Sequence, residues 1–331
     1  MEHYFDQLMD EILKNPKDSR NYLKVGRYLL IKGHFSESLG FLKKAEKLGD
    51  ESFDLDFYFG KVYLFLSCSE KSLGHFKKAL KKKPDHKEVQ YIIETLVEEK
   101  HHLTDSLDTS IIKALFDDYA VHFEGHLLNK LHYETPKKLV KYLLSKTKEE
   151  MNLSAKTPFS VLDLGCGTGL FAQELKRILK SCLLTGVDLS WRMLKEAEKK
   201  EIYFRLCESD LFNYIEEEKR KNSIYDLVVA CDTVPYLGNL EDLFRKTSQV
   251  LAPGGIFLFS FEVLDDSEKG WLFSGNGRFK HSLIHVKTLA YQNNFRGEIK
   301  LETLREERGE RVKGCFFLGR SIKIEETDNF F

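Results

Sequence analysis

An excess of charge of either sign is the first thing this sequence lacks. Its 51 lysines and arginines meet 52 aspartates and glutamates, a formal net charge of -1. No global basic field is available to draw the chain to nucleic acid or to an anionic membrane surface. One local run, Lys77-Lys78 followed by Lys81-Lys82-Lys83, is basic, and it reads as the solvated face of a helix. Cysteine is sparse and scattered. Cys68, Cys166, Cys182, Cys207, Cys231 and Cys315 form no C-x-x-C pair and no Cys/His group at zinc spacing, which argues for reduced thiols and against a zinc module. No apolar stretch reaches the length of a bilayer span. The first residues, MEHYFDQLMDEIL, lack the basic start and apolar block of a signal peptide. Together these absences predict a cytoplasmic protein with no nucleic-acid partner, no membrane span and no metal. What is present, 42% apolar and 31% charged residues over 331 positions, suits a globular chain of two domains.

The first third repeats itself. Placing Gly26 over Gly60, a shift of about 34 residues, also aligns Leu29 with Tyr63, Ser38 with Ser72, Leu42 with Phe76 and Ala45 with Ala79. Pro84 ends the second unit, and Pro16 stands in the equivalent place after a helix containing Leu8 and Ile12. Each unit reads as two antiparallel helices. The small residues permit close approach, Phe41, Leu42, Phe76 and Leu80 fill the gaps, and proline stops the helix. The pattern resembles the tetratricopeptide-repeat family. That resemblance implies either a peptide-binding or dimerisation surface or simple packing on the rest of the chain. Residues 87–100 read as a capping helix, so residues 1–100 form a helical repeat domain. Residues 101–158 are linker and lid: polar HHLTDSLDTS (101–110), a helical stretch 111–144 with Pro136 at a helix start, and a polar connector 146–158.

From residue 159 the texture changes. Apolar runs at 159–165, 183–190, 203–209, 225–232 and 255–262 alternate with helical segments, and two long runs, 297–308 and 312–322, flank a turn containing Gly309. Buried strands alternating with amphipathic helices predict an α/β, doubly wound parallel sheet, here over 159–331 and closed by an antiparallel hairpin.

The most informative stretch is VLDLGCGTGLF, residues 161–171. Its spacing is D-x-G-x-G-x-G, with Asp163, Gly165, Gly167 and Gly169. A dinucleotide site would need glycine at position 170, which is Leu170. Asp188 ends the second run about twenty residues past the loop, where a carboxylate can accept both ribose hydroxyls. These motifs resemble the class I, Rossmann-like, S-adenosylmethionine-dependent methyltransferases. With the repeats, the order of segments resembles the bacterial tetratricopeptide-repeat-containing members of that family, whose catalytic half is similar to ubiquinone- and biotin-pathway methyltransferases. The resemblance implies that Asp163 orients the loop near the aminoacid end of S-adenosylmethionine. It implies further cofactor contacts from Cys166, Leu189, Met193, Asp210, Leu211, Cys231 and Tyr119. Asp210 can equally N-cap the next helix.

Methyl transfer needs alignment more than a fixed catalytic residue. Asp232, Tyr236, His281 and His285 are candidates for a base near the transferred methyl. Residues 270–286 follow the fifth strand, where this fold commonly walls its substrate pocket. Trp271, Arg278 and His281 are the candidate acceptor contacts there, beside an expected turn at Gly275, Asn276 and Gly277. The sequence D-T-V-P-Y at 232–236 departs from the box of adenine-N6 methyltransferases, which discounts base methylation. Upstream, Tyr119, His122, Phe123 and His126 fall at helical spacing after F-D-x-Y-A, and no acidic or cysteine partner completes a metal set. The reading is therefore methyl transfer to an unidentified acceptor, a small molecule foremost, with the repeats serving protein interaction or dimerisation. The alternatives are a repeat adapter with a catalytically silent cofactor module, and a nucleotide-dependent oxidoreductase.

Overall fold

The computed structural model describes residues 2–31, 34–66, 68–97, 109, 112–113, 116–117, 120, 124, 133–147, 159–264, 270–274, 278–307 and 310–322. Most of the 101–110 linker, most of the 146–158 connector, Tyr119, His122, Phe123, His126, Gly275, Asn276, Gly277 and Gly309 lie outside the described residues. Two compact units divide the chain, residues 1–103 with 274–277, and residues 104–273 with 278–331.

The first unit is helical: α1 (Glu2–Lys14), α2 (Ser19–Ile31), α3 (Phe35–Lys47), α4 (Phe53–Phe65), α5 (Ser69–Lys82) and α6 (Lys87–Val97). The start of α4 shows why these boundaries fall where they do. Ser52 accepts the Leu55 N–H at 3.1 Å, and Asp54 and Asp56 face the positive end of the helix dipole. The repeat is visible in the packing. A Cβ on Gly26 would sit 2.6 Å from Leu42, and one on Gly60 would sit 2.7 Å from the Phe76 ring. One hydroxyl per pair crosses the contact, Ser38 donating to the Gly26 carbonyl at 2.6 Å and Ser72 to the Gly60 carbonyl at 2.9 Å. Both hydroxyls and both alanines, Ala45 and Ala79, are fully buried.

The second unit is α/β. Helix α7 (Thr135–Thr147) precedes β1 (Ser160–Leu164), α8 (Leu170–Lys176), β2 (Leu183–Asp188), α9 (Trp191–Glu198), β3 (Arg205–Glu208), α10 (Leu211–Arg220) and β4 (Tyr225–Ala230). Then come α11 (Glu241–Val250), β5 (Leu251–Val263), β6 (Trp271–Ser274), β7 (Arg278–His281), α12 (Leu283–Gln292), β8 (Phe295–Glu307) and β9 (Glu310–Ser321). The sheet runs β3-β2-β1-β4-β5-β7-β6, and β9 pairs with both β5 and β8. Strands β1 to β5 are mutually parallel, and β9 lies antiparallel to β5 from Ile256↔Arg320 to Glu262↔Gly314. The hairpin read from the sequence thus closes onto β5. In the 270–286 segment the expected turn at Gly275, Asn276 and Gly277 lies outside the described residues, and strand structure is found on both sides of it. Of these two short strands, β7 joins the end of β5 through Glu262↔Lys280 and Val263↔His281.

Alternation along each strand supplies two cores. Val228, Ala230, Phe257 and Phe259 pack with Ile215, Phe244, Val286 and Leu289, while Leu227, Val229, Ile256 and Leu258 pack with Leu139, Leu143, Phe171 and Leu175. Both faces are covered, as a parallel sheet requires. Asp226 ties β4 to β1 by accepting the Ser160 N–H at 3.0 Å and its hydroxyl at 3.1 Å.

The glycine contacts of the first unit set a contrast. Gly60→Ala forces a methyl into the Phe76 ring and is expected to cost about 1–3 kcal/mol, as overpacked core sites do. Gly74→Ala, in α5 with nothing within 4 Å of the new methyl, is expected to gain about 0.5–1 kcal/mol. Urea unfolding of the two full-length variants checks both signs.

Candidate functional site

The loop after β1 takes its shape from hydrogen bonds across the strand ends. Gly165 and Gly167 have φ of 67° and 53°, and Gly169 has 84°, which other residues adopt only with strain. The N–H groups of Gly165 and Cys166 both donate to the Val187 carbonyl, at 2.8 and 3.0 Å, so the loop leans onto the end of β2. Gly169 then starts α8, its carbonyl taking the Gln173 N–H at 3.0 Å.

Asp188, half-buried at the end of β2, faces that loop. Its Oδ2 accepts the Gly167 N–H and its Oδ1 the Ser190 N–H, each at 2.8 Å. Burial raises this carboxyl to about 6, against the two backbone donors that pull it down. Ser190 caps α9 by accepting the Met193 N–H at 3.1 Å and donates to Asp117 Oδ1 at 2.6 Å. Asp163 is fully buried at the end of β1. Burial lifts it to about 7, the hydrogen bond from Tyr203 opposes the rise, and the charge of Asp188 adds to it. The Tyr203 hydroxyl donates to Asp163 Oδ2 at 2.7 Å, while Oδ1 is buried without a hydrogen-bond partner among the described residues.

The remaining sequence candidates near these strand ends are placed as follows. Cys166 is buried in the loop, and Met193 is buried on α9. Leu189 is half-buried after β2, and Leu211 opens α10, packed against one sheet core. Asp210 is the N-cap of α10, its Oδ1 accepting the N–H groups of Phe212 at 2.9 Å and Asn213 at 3.1 Å. Asp117 and Phe116 also reach this end of the sheet, Phe116 lying edge-on to Tyr236 at 5.2 Å. Tyr119 lies outside the described residues.

At the ends of β4 and β5 sits a second group. Asp232 has φ of 59°, a conformation held by the Ser260 hydroxyl, which accepts the Asp232 N–H at 2.8 Å. Arg305, reaching in from β8, stands 3.8 Å from Asp232 Oδ1 and pairs with Glu262, while Arg278 stands 3.6 Å from Glu262. A register shift between Thr303 and Arg305 accompanies that inward turn of β8. Its exposed backbone is satisfied from α7, Thr135 donating to the Leu304 carbonyl at 2.6 Å and Lys138 to that of Thr303 at 2.9 Å. Tyr133 and Cys231 meet at 3.9 Å beside this group. Tyr236 is raised by burial, against the influence of Arg278, so at neutral pH it is a donor and not a base.

Two sequence candidates are corrected here. His281 ends β7 fully buried, burial pushes it down to about 3, and its ring nitrogens make no well-formed hydrogen bond among the described residues. A fully buried ring that burial keeps neutral presents no surface to an acceptor in this structure, which argues against the base role read from the sequence. His285, on α12, is lowered by burial and lies against Trp271 at 5.2 Å, so these two rings pack on each other. Arg278 remains half-buried beside Glu262. The sequence signals missed Tyr203, Thr233, Asp117, Glu262, Arg305 and Tyr133. Asp117 was in view as part of F-D-x-Y-A and Thr233 as part of D-T-V-P-Y, neither with a role assigned, and the others carry no local motif.

Comparison with known proteins adds to this geometry. Residues 162–257 match the family described as "Methyltransferase domain". Malonyl-[acyl-carrier protein] O-methyltransferase of Legionella pneumophila is 30% identical over 131 residues, 39% of this chain and 45% of the relative. Carboxy-S-adenosyl-L-methionine synthase of Helicobacter pylori (strain G27) is 27% identical over 189 residues, 54% of this chain and 77% of the relative. The chain spans about half the length of the first curated relatives it matches. Among solved structures, magnesium protoporphyrin IX methyltransferase of Synechocystis PCC 6803 with bound S-adenosylhomocysteine aligns at 14% identity and TM-score 0.48, covering 65% of this chain and all of that one. The glycine loop, Asp188, Asp210 and Cys231 fall within the matched 162–257 stretch, whereas Glu262, Arg278 and Arg305 lie beyond it.

Proposed function

We propose that this chain is an S-adenosylmethionine-dependent methyltransferase acting on a small, polar acceptor. The observation that carries the reading is the Asp188 carboxylate, anchored by the Gly167 and Ser190 N–H groups beside a loop of three left-handed glycines. The residues present fit the cofactor. Asp163 Oδ1, buried and without a hydrogen-bond partner among the described residues, suits a ligand ammonium group. Asp188 would hold the ribose hydroxyls, and Met193, Asp210 and Leu211 the adenine side.

When bound, the cofactor supplies a methyl group activated by its sulfonium. The chain's own residues do the rest. Asp188 and Asp163 fix the two ends of the ligand, and the short loop keeps its backbone close. On the acceptor side, Asp232 offers a carboxylate to orient the nucleophile or take its proton, and Tyr236 donates a hydrogen bond. Arg278 suits an anionic or carbonyl-bearing acceptor, in keeping with the O-methyltransferase names of relatives. The recurring Gly–Ser contacts of α2–α3 and α4–α5 support a tetratricopeptide-repeat reading of residues 1–100, with protein interaction or dimerisation as its role. No described helix is long and apolar enough to cross a membrane.

Calorimetric titration tests the cofactor. S-adenosylmethionine and S-adenosylhomocysteine are expected to bind and NAD not to. Asp188→Asn is expected to weaken both ligands by about 1.5–3 kcal/mol, roughly 10- to 100-fold, the worth of hydrogen bonds to a charged group. Binding of NAD alone, or of none of the three, overturns the reading.

Asp188 near 6 and Asp163 near 7 also fix a pH signature. Both folded values lie above the unfolded range of about 4. Their contribution to ligand-free stability is therefore full below about pH 4 and is lost as pH rises to about 7. A ligand that prefers the carboxylate forms shows the opposite slope. Between about pH 5 and 8, ligand-free Tm is expected to carry a falling contribution from these groups while S-adenosylhomocysteine affinity rises. Affinity that is flat or falls over this range counts against both carboxylates as ligand groups.

A further inference from the structure

Tyr203 stands just before β3 with no motif around it, yet β1, β2 and the glycine loop each meet it at one residue. Its hydroxyl donates to Asp163 Oδ2 at 2.7 Å. A Cβ on Gly169 would sit 2.9 Å from its ring, and a Cβ on Gly186, in the middle of β2, would sit 2.8 Å from it. The glycines at these two places make room for this ring as much as for any ligand. Its backbone neighbour is tied down as well, Phe204 N–H donating to the Leu184 carbonyl at 2.9 Å. The phenol therefore reaches Asp163 from a fixed direction and holds one carboxylate oxygen, which turns the other, Oδ1, to a place where no described residue meets it.

We propose that Tyr203 is a positioning residue for the cofactor's aminoacid end, fixing the Asp163 carboxylate in the ionised form and orientation that a ligand ammonium needs. The inference rests on the S-adenosylmethionine reading above. The groups facing Asp163 are Tyr203, Asp188 from the end of β2, Cys166 from the loop and Cys231 from the end of β4. Burial raises both thiols well above their ordinary range, so both stay neutral. Of these groups, the phenol is the one that stabilises the carboxylate: its bond lowers Asp163, whereas burial and Asp188 raise it. Loss of the hydroxyl leaves Asp163 protonated to higher pH, so the damage is greatest near neutrality and fades as pH rises.

The experiment is calorimetry on the full chain, wild type, Tyr203→Phe, Asp163→Asn and the double variant, from about pH 6 to about 8.5. The probes are S-adenosylhomocysteine and methylthioadenosine, which keeps the adenosine and thioether but lacks the aminoacid part. Tyr203→Phe is expected to weaken S-adenosylhomocysteine roughly three- to ten-fold near pH 7, the worth of one hydrogen bond. The loss is expected to shrink towards the alkaline end, with methylthioadenosine unaffected. In the Asp163→Asn background the same change is expected to do nothing further, because the group it acts through no longer titrates. Equal loss for both probes, a loss independent of pH, or a loss that persists beside Asp163→Asn would make Tyr203 a packing residue and overturn the inference alone. Failure of the wild type to bind either probe overturns the cofactor reading and this inference with it.

Discussion

Two backbone N–H groups, one from the glycine loop and one from the start of α9, converge on one carboxylate, Asp188, and the rest of the site is arranged around that convergence. Through Gly167 it holds the middle of the glycine loop. Through Ser190 it fixes the entry to α9, and Ser190 in turn caps that helix and binds Asp117. Hydrogen bonds to an ionised group are worth about twice neutral ones, which is why a single acid can set the spacing between a loop and a helix start. The same burial that strengthens them raises the acid to about 6. The site is therefore held together by a group close to losing its charge.

The loop's shape does not wait for a ligand. Thr233 packs where a Cβ on Gly165 would go, and its hydroxyl donates to the Leu164 carbonyl at 2.8 Å. Tyr203 fills the equivalent space at Gly169. Each residue comes from a loop following or preceding another strand, so β3 and β4 brace the turn that leaves β1. A turn braced before binding spares the ligand the cost of ordering it.

The sheet is legible in the sequence because β1, β2, β4 and β5 are apolar runs buried on both faces, and a doubly wound sheet leaves them no polar face to blur the pattern. The glycine loop and Asp188 are legible because local geometry forces their residue types. β6 and β7 are not legible: Trp271–Ser274 and Arg278–His281 are four-residue strands that flank a glycine-rich stretch, and the second carries charge. His281 misleads for a related reason. A histidine beside an arginine after the fifth strand looks like chemistry, and only the tertiary burial on Phe261 and the turn at Val234–Tyr236 makes it a wall residue. Tyr203, Glu262 and Arg305 act on partners 40 or more positions away, a relation that no spacing rule encodes.

The two ends of the cleft differ in their charge, and the difference bears on what each can recognise. At the β1–β2 end, burial raises both Asp163 and Asp188, the charge of Asp188 raises Asp163 further, and the hydrogen-bond donors that meet them are a phenol and backbone N–H groups. Such a pair is costly to ionise alone and favours a ligand that brings a positive charge. At the β4–β5 end, Asp232 and Glu262 are interleaved with Arg278 and Arg305, so that each charge is already met by its opposite. On the function proposed above, an acceptor there would be selected by its match to hydrogen-bonding groups held in place by β5, β7 and β8. One end is thus suited to draw in a charged ligand, and the other to select the shape and hydrogen-bonding pattern of its partner.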